Sequence, residues 1–156
     1  FVILCKRLNL KWIIMSLQQK PCVFSKIVEI RSIRDQKARL SERERELTKP
    51  ILTDLDMIPT LYEWFKEIVS QQEVFRANVP QRKKFIFIIL ILYSPGALAD
   101  GKMKRGLRDK LAEVFGLNGK STISDNLNGL YLSYQLYKYF RQDIHRIYNE
   151  IMDRIG

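Results

Sequence analysis

The chain has 156 residues, of which 46% are hydrophobic and 28% charged, and it carries a net charge of +10 with a pI of about 9.7. This hydrophobic fraction excludes a disordered chain and the length fits one domain of ordinary size. One histidine and two cysteines without CxxC spacing exclude a structural zinc site within one chain.

The basic excess is concentrated at the N-terminal end, where residues 1–49 hold 12 Lys or Arg against 5 Asp or Glu. This predicts an extended, partly helical basic arm that adds salt-sensitive affinity for a polyanion. The Lys6–Arg7 pair lies inside the apolar stretch rather than ahead of it, which is not typical of a signal peptide. Met15 is a candidate for the natural start, in which case residues 1–14 would be upstream or non-native sequence; the pattern leaves this open.

From Lys26 to Lys49 the pattern is polar and helical. Ser41, followed three residues later by Glu44, predicts a capping box that opens a short helix before Pro50. This segment fits a docking arm or a dimerisation helix, although a surface helix lying against the main domain is the commoner outcome.

Residues 50–156 are predicted to form a helical domain. Ile58, Leu61 and Ile68 recur at helical spacing between Asp54 and Gln72, with Pro59 in the first turn and Trp64 on the same side, which predicts a core helix with an aromatic seam.

The run from Phe85 to Tyr93 is the most hydrophobic of the chain and is closed by Ser94-Pro95-Gly96. It is too short to span a bilayer, and we interpret it as a buried helix rather than a strand because no partner strand is evident. The basic residues at its entrance lie at the end where a helix dipole disfavours cations, so we consider phosphate binding for them: Arg82, Lys83 and Lys84.

Two short amphipathic helices joined by a polar turn are predicted between Leu107 and Leu130. The first has a buried face, and Gly116 can take the left-handed conformation that ends it. Ser121 is expected to cap the second helix with its hydroxyl. The inward residues of the two helices are Leu107, Leu111, Val114, Ile123, Leu127 and Leu130.

The residues Leu111-Ala112-Glu113-Val114-Phe115-Gly116-Leu117, then Ser121-Thr122-Ile123 and Leu127, resemble the helix-turn-helix of transcription regulators and sigma-factor-like domains. The segment from Arg82 to the C-terminus is similar to small helix-turn-helix proteins of phages and other mobile elements. This resemblance implies binding to double-stranded DNA through a module at about residues 103–130. Two helices joined by a Gly-containing turn also occur in helical proteins that never bind DNA.

In this interpretation the second helix enters a groove while the first crosses the phosphate backbone. The base-contact candidates are Ser121, Thr122, Ser124, Asn126 and Asn128. The phosphate-contact candidates are Arg82, Lys83, Lys84, Lys102, Lys104, Arg105, Arg108, Lys110 and Lys120. Strong guanine readout is not expected, because no Lys or Arg lies between Ser121 and Tyr137.

A helix is predicted to continue from Tyr131 to Ile155 with a long apolar stripe: Tyr137, Phe140, Ile144, Ile147, Tyr148, Ile151 and Ile155. The stripe could serve a C-terminal homodimer on paired half-sites or pack onto the domain, and the pattern favours neither.

The sequence contains no Gly-rich phosphate loop and no nucleophile elbow, so we expect no enzyme, no catalytic residues and no cofactor. The prediction is an all-α, cytoplasmic DNA-binding protein, a small regulator without a membrane segment. The alternative is a helical protein-interaction module that uses its aromatic and isoleucine stripes and does not bind nucleic acid.

Overall fold

The computed structural model describes residues 23–156, which are helical with no strand in that range. The proposed start at Met15 and the status of residues 1–14 lie outside the described residues. The chain divides into two compact units, one ending at Arg45 and the other spanning Glu46–Gly156.

The first helix, α1, spans Val23–Leu47 and has no buried residue. The predicted capping box at Ser41 is wrong, because Ser41 lies in the interior of this helix. No glycine or proline occurs between Val23 and Leu47 to interrupt it. The helix ends before Pro50, as the proline predicts.

The second unit is built from short and medium helices with the following bounds. After a 3-10 turn at Leu55–Met57 come α2 (Ile58–Ser70) and α3 (Val79–Tyr93), then a second 3-10 turn at Pro95–Ala99. The chain continues as α4 (Leu107–Val114), α5 (Ser121–Leu127), α6 (Leu130–Leu136) and α7 (Lys138–Ile155).

Helix α3 lies at the centre of this unit, and its prediction as a buried helix is confirmed. Its side chains from Phe85 to Leu90 are at most 3% exposed, and it contacts α2, α5 and α7. Asn78 caps it by accepting a hydrogen bond from the Gln81 N–H at 3.0 Å. Helix α3 therefore forms the centre of the core, and α2, α5 and α7 pack against it.

Helix α2 has Pro59 in its first turn, as predicted. Its fully buried aromatic residue is Phe65 rather than Trp64, which packs at the edge of the core. The Phe65 ring lies 5.2 Å from that of Phe85 on α3, so the aromatic contact between these two helices forms one residue away from the predicted seam.

The C-terminal region is two helices instead of the single continuous helix predicted. Tyr137 takes an extended conformation at φ −103° and ψ 107° between α6 and α7, and its side chain is exposed. The stripe of α7 is buried within the unit, where the helix contacts α2 and α3. It therefore packs onto the domain, one of the two arrangements that the sequence left open, and a homodimer through this stripe gains no support.

Candidate nucleic-acid interface

The helix pair, defined here as α4 and α5 with the turn between them, is attached to the core by buried side chains. Leu107 and Leu111 of α4 and Ile123 of α5 are fully buried, and α4 contacts α2 while α5 contacts α3. Ala112 is 7% exposed. The pair is thus fixed to the core by its inward side, which leaves its polar side for solvent.

Gly116 ends α4 as predicted, through a Schellman motif. The Leu117 N–H donates to the Ala112 carbonyl at 2.9 Å, and the Gly116 N–H donates to that of Glu113 at 3.0 Å. Gly116 has φ +64°, a conformation that other residues adopt only with strain. The path of the chain between the two helices is therefore set by backbone hydrogen bonds.

The start of α5 differs from the prediction. Lys120 is the N-cap residue, with helical φ and ψ, and no side chain caps the helix. Ser121 is therefore already the first helical residue, and its predicted capping role is wrong. The helix also ends earlier than predicted, at Leu127. Asn128 is extended and Gly129 has φ +69°, so that Leu130 begins α6.

The five base-contact candidates occupy unequal positions. Ser121 and Asn128 are exposed, and Thr122 and Ser124 are half-buried. Asn126 is 4% exposed, and its side-chain amide donates to the Thr122 carbonyl at 2.8 Å. Asn126 thus lies on the inner side of α5, away from any ligand that approaches the exposed face.

Four of the phosphate-contact candidates are exposed beside or within the helix pair: Lys102, Arg105, Arg108 and Lys120. Lys120 forms an ion pair with Asp109 of α4. This contact joins the turn to the preceding helix and neutralises part of the local charge.

Two further candidates, Lys104 and Lys110, are held by the protein. The Lys104 ammonium donates to the Thr53 carbonyl at 2.6 Å and lies 5.7 Å from the centre of the Tyr93 ring. Lys110 lies 3.3 Å from Asp56, and hydrogen bonding to this carboxylate raises the pKa of Lys110. Both ammonium groups would have to leave these partners to contact a phosphate.

The predicted phosphate site at the entrance of α3 does not form as an exposed cluster. Lys84 is 7% exposed and its ammonium lies 2.6 Å from the Asp143 carboxylate on α7. Arg82 and Lys83 are half-buried, and the buried Nε of Arg82 makes no hydrogen bond to the described part of the chain. The entrance of α3 is a structural junction with α7, since the ion pair joins the two helices.

The charge of the second unit is unevenly distributed. Residues 102–120 contain six Lys or Arg and two Asp or Glu, a net charge of +4, whereas the rest of residues 50–156 contains nine against ten, a net charge of −1. The positive charge of this region is therefore concentrated on α4 and the segments that flank it.

Sequence reasoning missed the acidic partners of the basic candidates. Asp143 is 59 residues from Lys84, and Asp56 is 54 residues from Lys110 in the chain, so local patterns carried no signal for these pairs. The Asp109 carboxylate lies within the basic segment, but it is eleven residues from Lys120, so its position in the sequence predicted no particular partner.

A different surface, which we call the apolar patch, lies on α6 and the start of α7. Its large side chains are between 49% and 65% exposed: Tyr131, Leu132, Leu136, Tyr137 and Tyr139. Clustered exposed apolar side chains are typical of interaction sites.

Neither a metal-binding cluster nor a membrane-spanning helix is found among the described residues. Between Val23 and Gly156, no three His, Cys, Asp or Glu side chains are grouped so as to hold a metal ion. No helix in the same range combines the length and apolar character needed to cross a membrane. The exposed His145 ring nitrogen Nε2 lies 2.6 Å from the Tyr134 hydroxyl and links α7 to α6.

Comparison with known proteins adds no relative: no family model matches the chain, and neither the curated proteins nor the solved structures yield a match.

Proposed function

We propose that this protein binds double-stranded DNA through the helix pair and acts as a small regulator of the helix-turn-helix class. The observation that carries the proposal is the net charge of +4 on residues 102–120, beside the two helices. A positive surface next to a polar helix face suits a duplex, because phosphate contacts supply affinity while the helix face reads the groove.

The exposed cations would contact phosphates: Lys102, Arg105, Arg108 and, after exchange of its Asp109 partner, Lys120. We expect Ser121 and Thr122, at the start of α5, to contact base edges, as the first residues of a recognition helix do in helix-turn-helix proteins. Helix α5 contains no Lys or Arg, so the contact most typical of guanine is absent from it. We therefore expect modest sequence discrimination and a large electrostatic component.

The first experiment is fluorescence anisotropy of the full chain with a mixed-sequence duplex at several salt concentrations. Binding should weaken steeply as salt rises, because neutralised phosphates release counterions. Absence of binding at low salt would refute the proposal.

The second experiment compares two variants that lose arginine side chains from different places. Arg105→Ala with Arg108→Ala should weaken binding to all sequences about tenfold and lower the salt slope by about 2. Arg76 is exposed in the loop between α2 and α3, away from the helix pair in sequence, and Arg76→Ala is the control. The single variants Arg105→Ala and Arg108→Ala match this control in the charge that they remove. If each of them lost no more affinity than Arg76→Ala, net charge and not this surface would determine binding.

A second candidate function is supported by the apolar patch. Two leucines and three tyrosines exposed on α6 and the start of α7 fit a helical module that binds a protein partner. Leu132→Ser with Leu136→Ser would abolish such binding and leave the anisotropy of the DNA complex unchanged. The same set of variants therefore distinguishes DNA binding from binding of a protein partner.

A further inference from the structure

Helix α1 is exposed along its whole length. None of its 25 residues is buried, and eight large apolar side chains are between 48% and 75% exposed: Val23, Phe24, Ile27, Val28, Ile30, Ile33, Leu40 and Leu47. A single helix with this much exposed aliphatic surface is marginal in water, because most helical stability in proteins comes from packing an apolar face.

Five of these eight apolar side chains lie on one seam, whose successive positions are alternately three and four residues apart. This spacing is the pattern of helices that pack along one another. In order, the seam consists of Val23, Lys26, Ile30, Ile33, Lys37, Leu40, Glu44 and Leu47. Five of the eight positions are aliphatic, and the other three carry the charges of Lys26, Lys37 and Glu44.

The three charged positions disfavour a parallel pairing of two copies. In a parallel pair each seam residue faces its own copy. Lys26, Lys37 and Glu44 would then each meet a like charge at the centre of the contact, which is unfavourable at all three positions.

An antiparallel pairing converts the same positions into complementary contacts. With the helices centred on Asp35, Lys26 faces Glu44 of the second copy, and Val23 faces Leu47. Ile30 then faces Leu40.

The remaining seam position, Lys37, faces Ile33 of the second copy, where its methylene stem can pack while the ammonium reaches water. Glu29 and Arg43, which flank the seam, also come opposite each other with opposite charges. Arg34 faces its own copy at the exposed flank, where solvent screens the repulsion.

We propose that α1 is a self-association helix that pairs antiparallel with α1 of a second copy of this chain. The charge complementarity of the seam identifies the partner, because Lys26 and Glu44 face each other when the same helix is read in reverse. This proposal is independent of DNA binding and holds whether or not the helix pair binds a duplex.

The first test is sedimentation velocity of the full chain over a wide range of concentration. The expected species is a dimer of twice 18.5 kDa that dissociates on dilution. Ile30→Glu, which places a charge opposite Leu40, should yield a monomer at all concentrations.

Val28→Glu is the matched control, because it changes a β-branched residue of the same helix on the face opposite the seam. It should leave the dimer intact. A wild-type chain that stays monomeric, as it would if α1 packed on its own chain, would overturn the proposal. A dimer that survives Ile30→Glu would do the same.

The second test determines the direction of the helices. Lys26→Glu and Glu44→Lys should each weaken the dimer, since each creates a like-charge pair, and the double swap should restore it. In a parallel dimer each single swap only exchanges one like pair for another, so all three variants would associate as the wild type does. Equal association of all three would thus overturn the antiparallel arrangement.

Discussion

Two clusters of basic residues look alike in the sequence and differ in the folded chain. Arg82, Lys83 and Lys84 open α3, where Lys84 is buried and paired with Asp143. The segment from Lys102 to Arg108 precedes and enters α4, where three of its four cations are exposed. A run of positive charge in the sequence is therefore exposed to solvent only where no acidic residue from another helix pairs with it and buries it.

The largest effect is expected when the ion pair of the first cluster, between Lys84 and Asp143, is removed. Asp143→Ala leaves the ammonium of Lys84 buried without its partner, which should lower the free energy of unfolding by about 2–3 kcal/mol, less than for a fully buried pair because Asp143 is partly exposed. Urea denaturation measures this. Asp153→Ala, an exposed aspartate change on the same helix, is the control and should stay within about 0.5 kcal/mol of wild type.

Lys84→Met tests the same ion pair in a different way from Asp143→Ala, because it removes the buried charge as well as the ion pair. We expect a smaller loss of stability than with Asp143→Ala. DNA affinity should stay unchanged in this variant, in contrast to Arg105→Ala with Arg108→Ala. A loss of affinity equal to that of the arginine variant would show that Lys84 reaches the duplex.

The next effect concerns Tyr93, whose ring lies beside the ammonium of Lys104 in the second cluster. The Tyr93 hydroxyl donates to the Asp54 carbonyl at 2.7 Å, and burial together with the Asp54 charge raises the pKa of Tyr93 to about 12. Tyr93→Phe should cost about 1 kcal/mol at neutral pH through the lost hydrogen bond.

The same substitution changes the response to alkali. Because the folded pKa of Tyr93 is above its unfolded value of 10.0, the unfolded chain releases the proton first and stability is lost as pH rises from 10 towards 12. In Tyr93→Phe this part of the loss should disappear, and chemical denaturation at a series of pH values measures it. Identical pH profiles would contradict the assignment.

The smallest expected effect is a gain. Asp109→Ala removes the partner of Lys120 and one negative charge from the basic segment, so DNA affinity should rise a few-fold, as expected for exposed charges. Anisotropy at fixed salt measures this. Glu63→Ala, which removes an exposed carboxylate from α2, is the control and should change affinity less.

Most helices of the second unit were predictable from the placement of their apolar residues. Ile58, Leu61 and Ile68 identified α2, and the apolar run ending at Tyr93 identified α3. The ends of the helices were harder to predict. Gly116 was recognised as a terminator, but Gly129, with φ +69°, was not, and the helix predicted through Leu130 broke there.

The candidate site was less predictable than the fold, because exposure of a polar residue depends on long-range packing. Asn126 and Asn128 are equivalent by residue type, yet one is buried and bonded to Thr122 and the other is exposed. Likewise, the pairing of Lys84 with Asp143 depends on how α3 and α7 meet. No local pattern contains that information.

The absence of buried side chains in α1 also has a kinetic consequence. A helix without buried side chains can open while the core stays folded. The amide hydrogens of α1 should therefore exchange with solvent long before those of α3. Its exchange rate would then depend on protein concentration if two copies pair, while that of α3 would not. The exchange rate of α1 would thus report the assembly of two copies, and the exchange rate of α3 would report the stability of the fold.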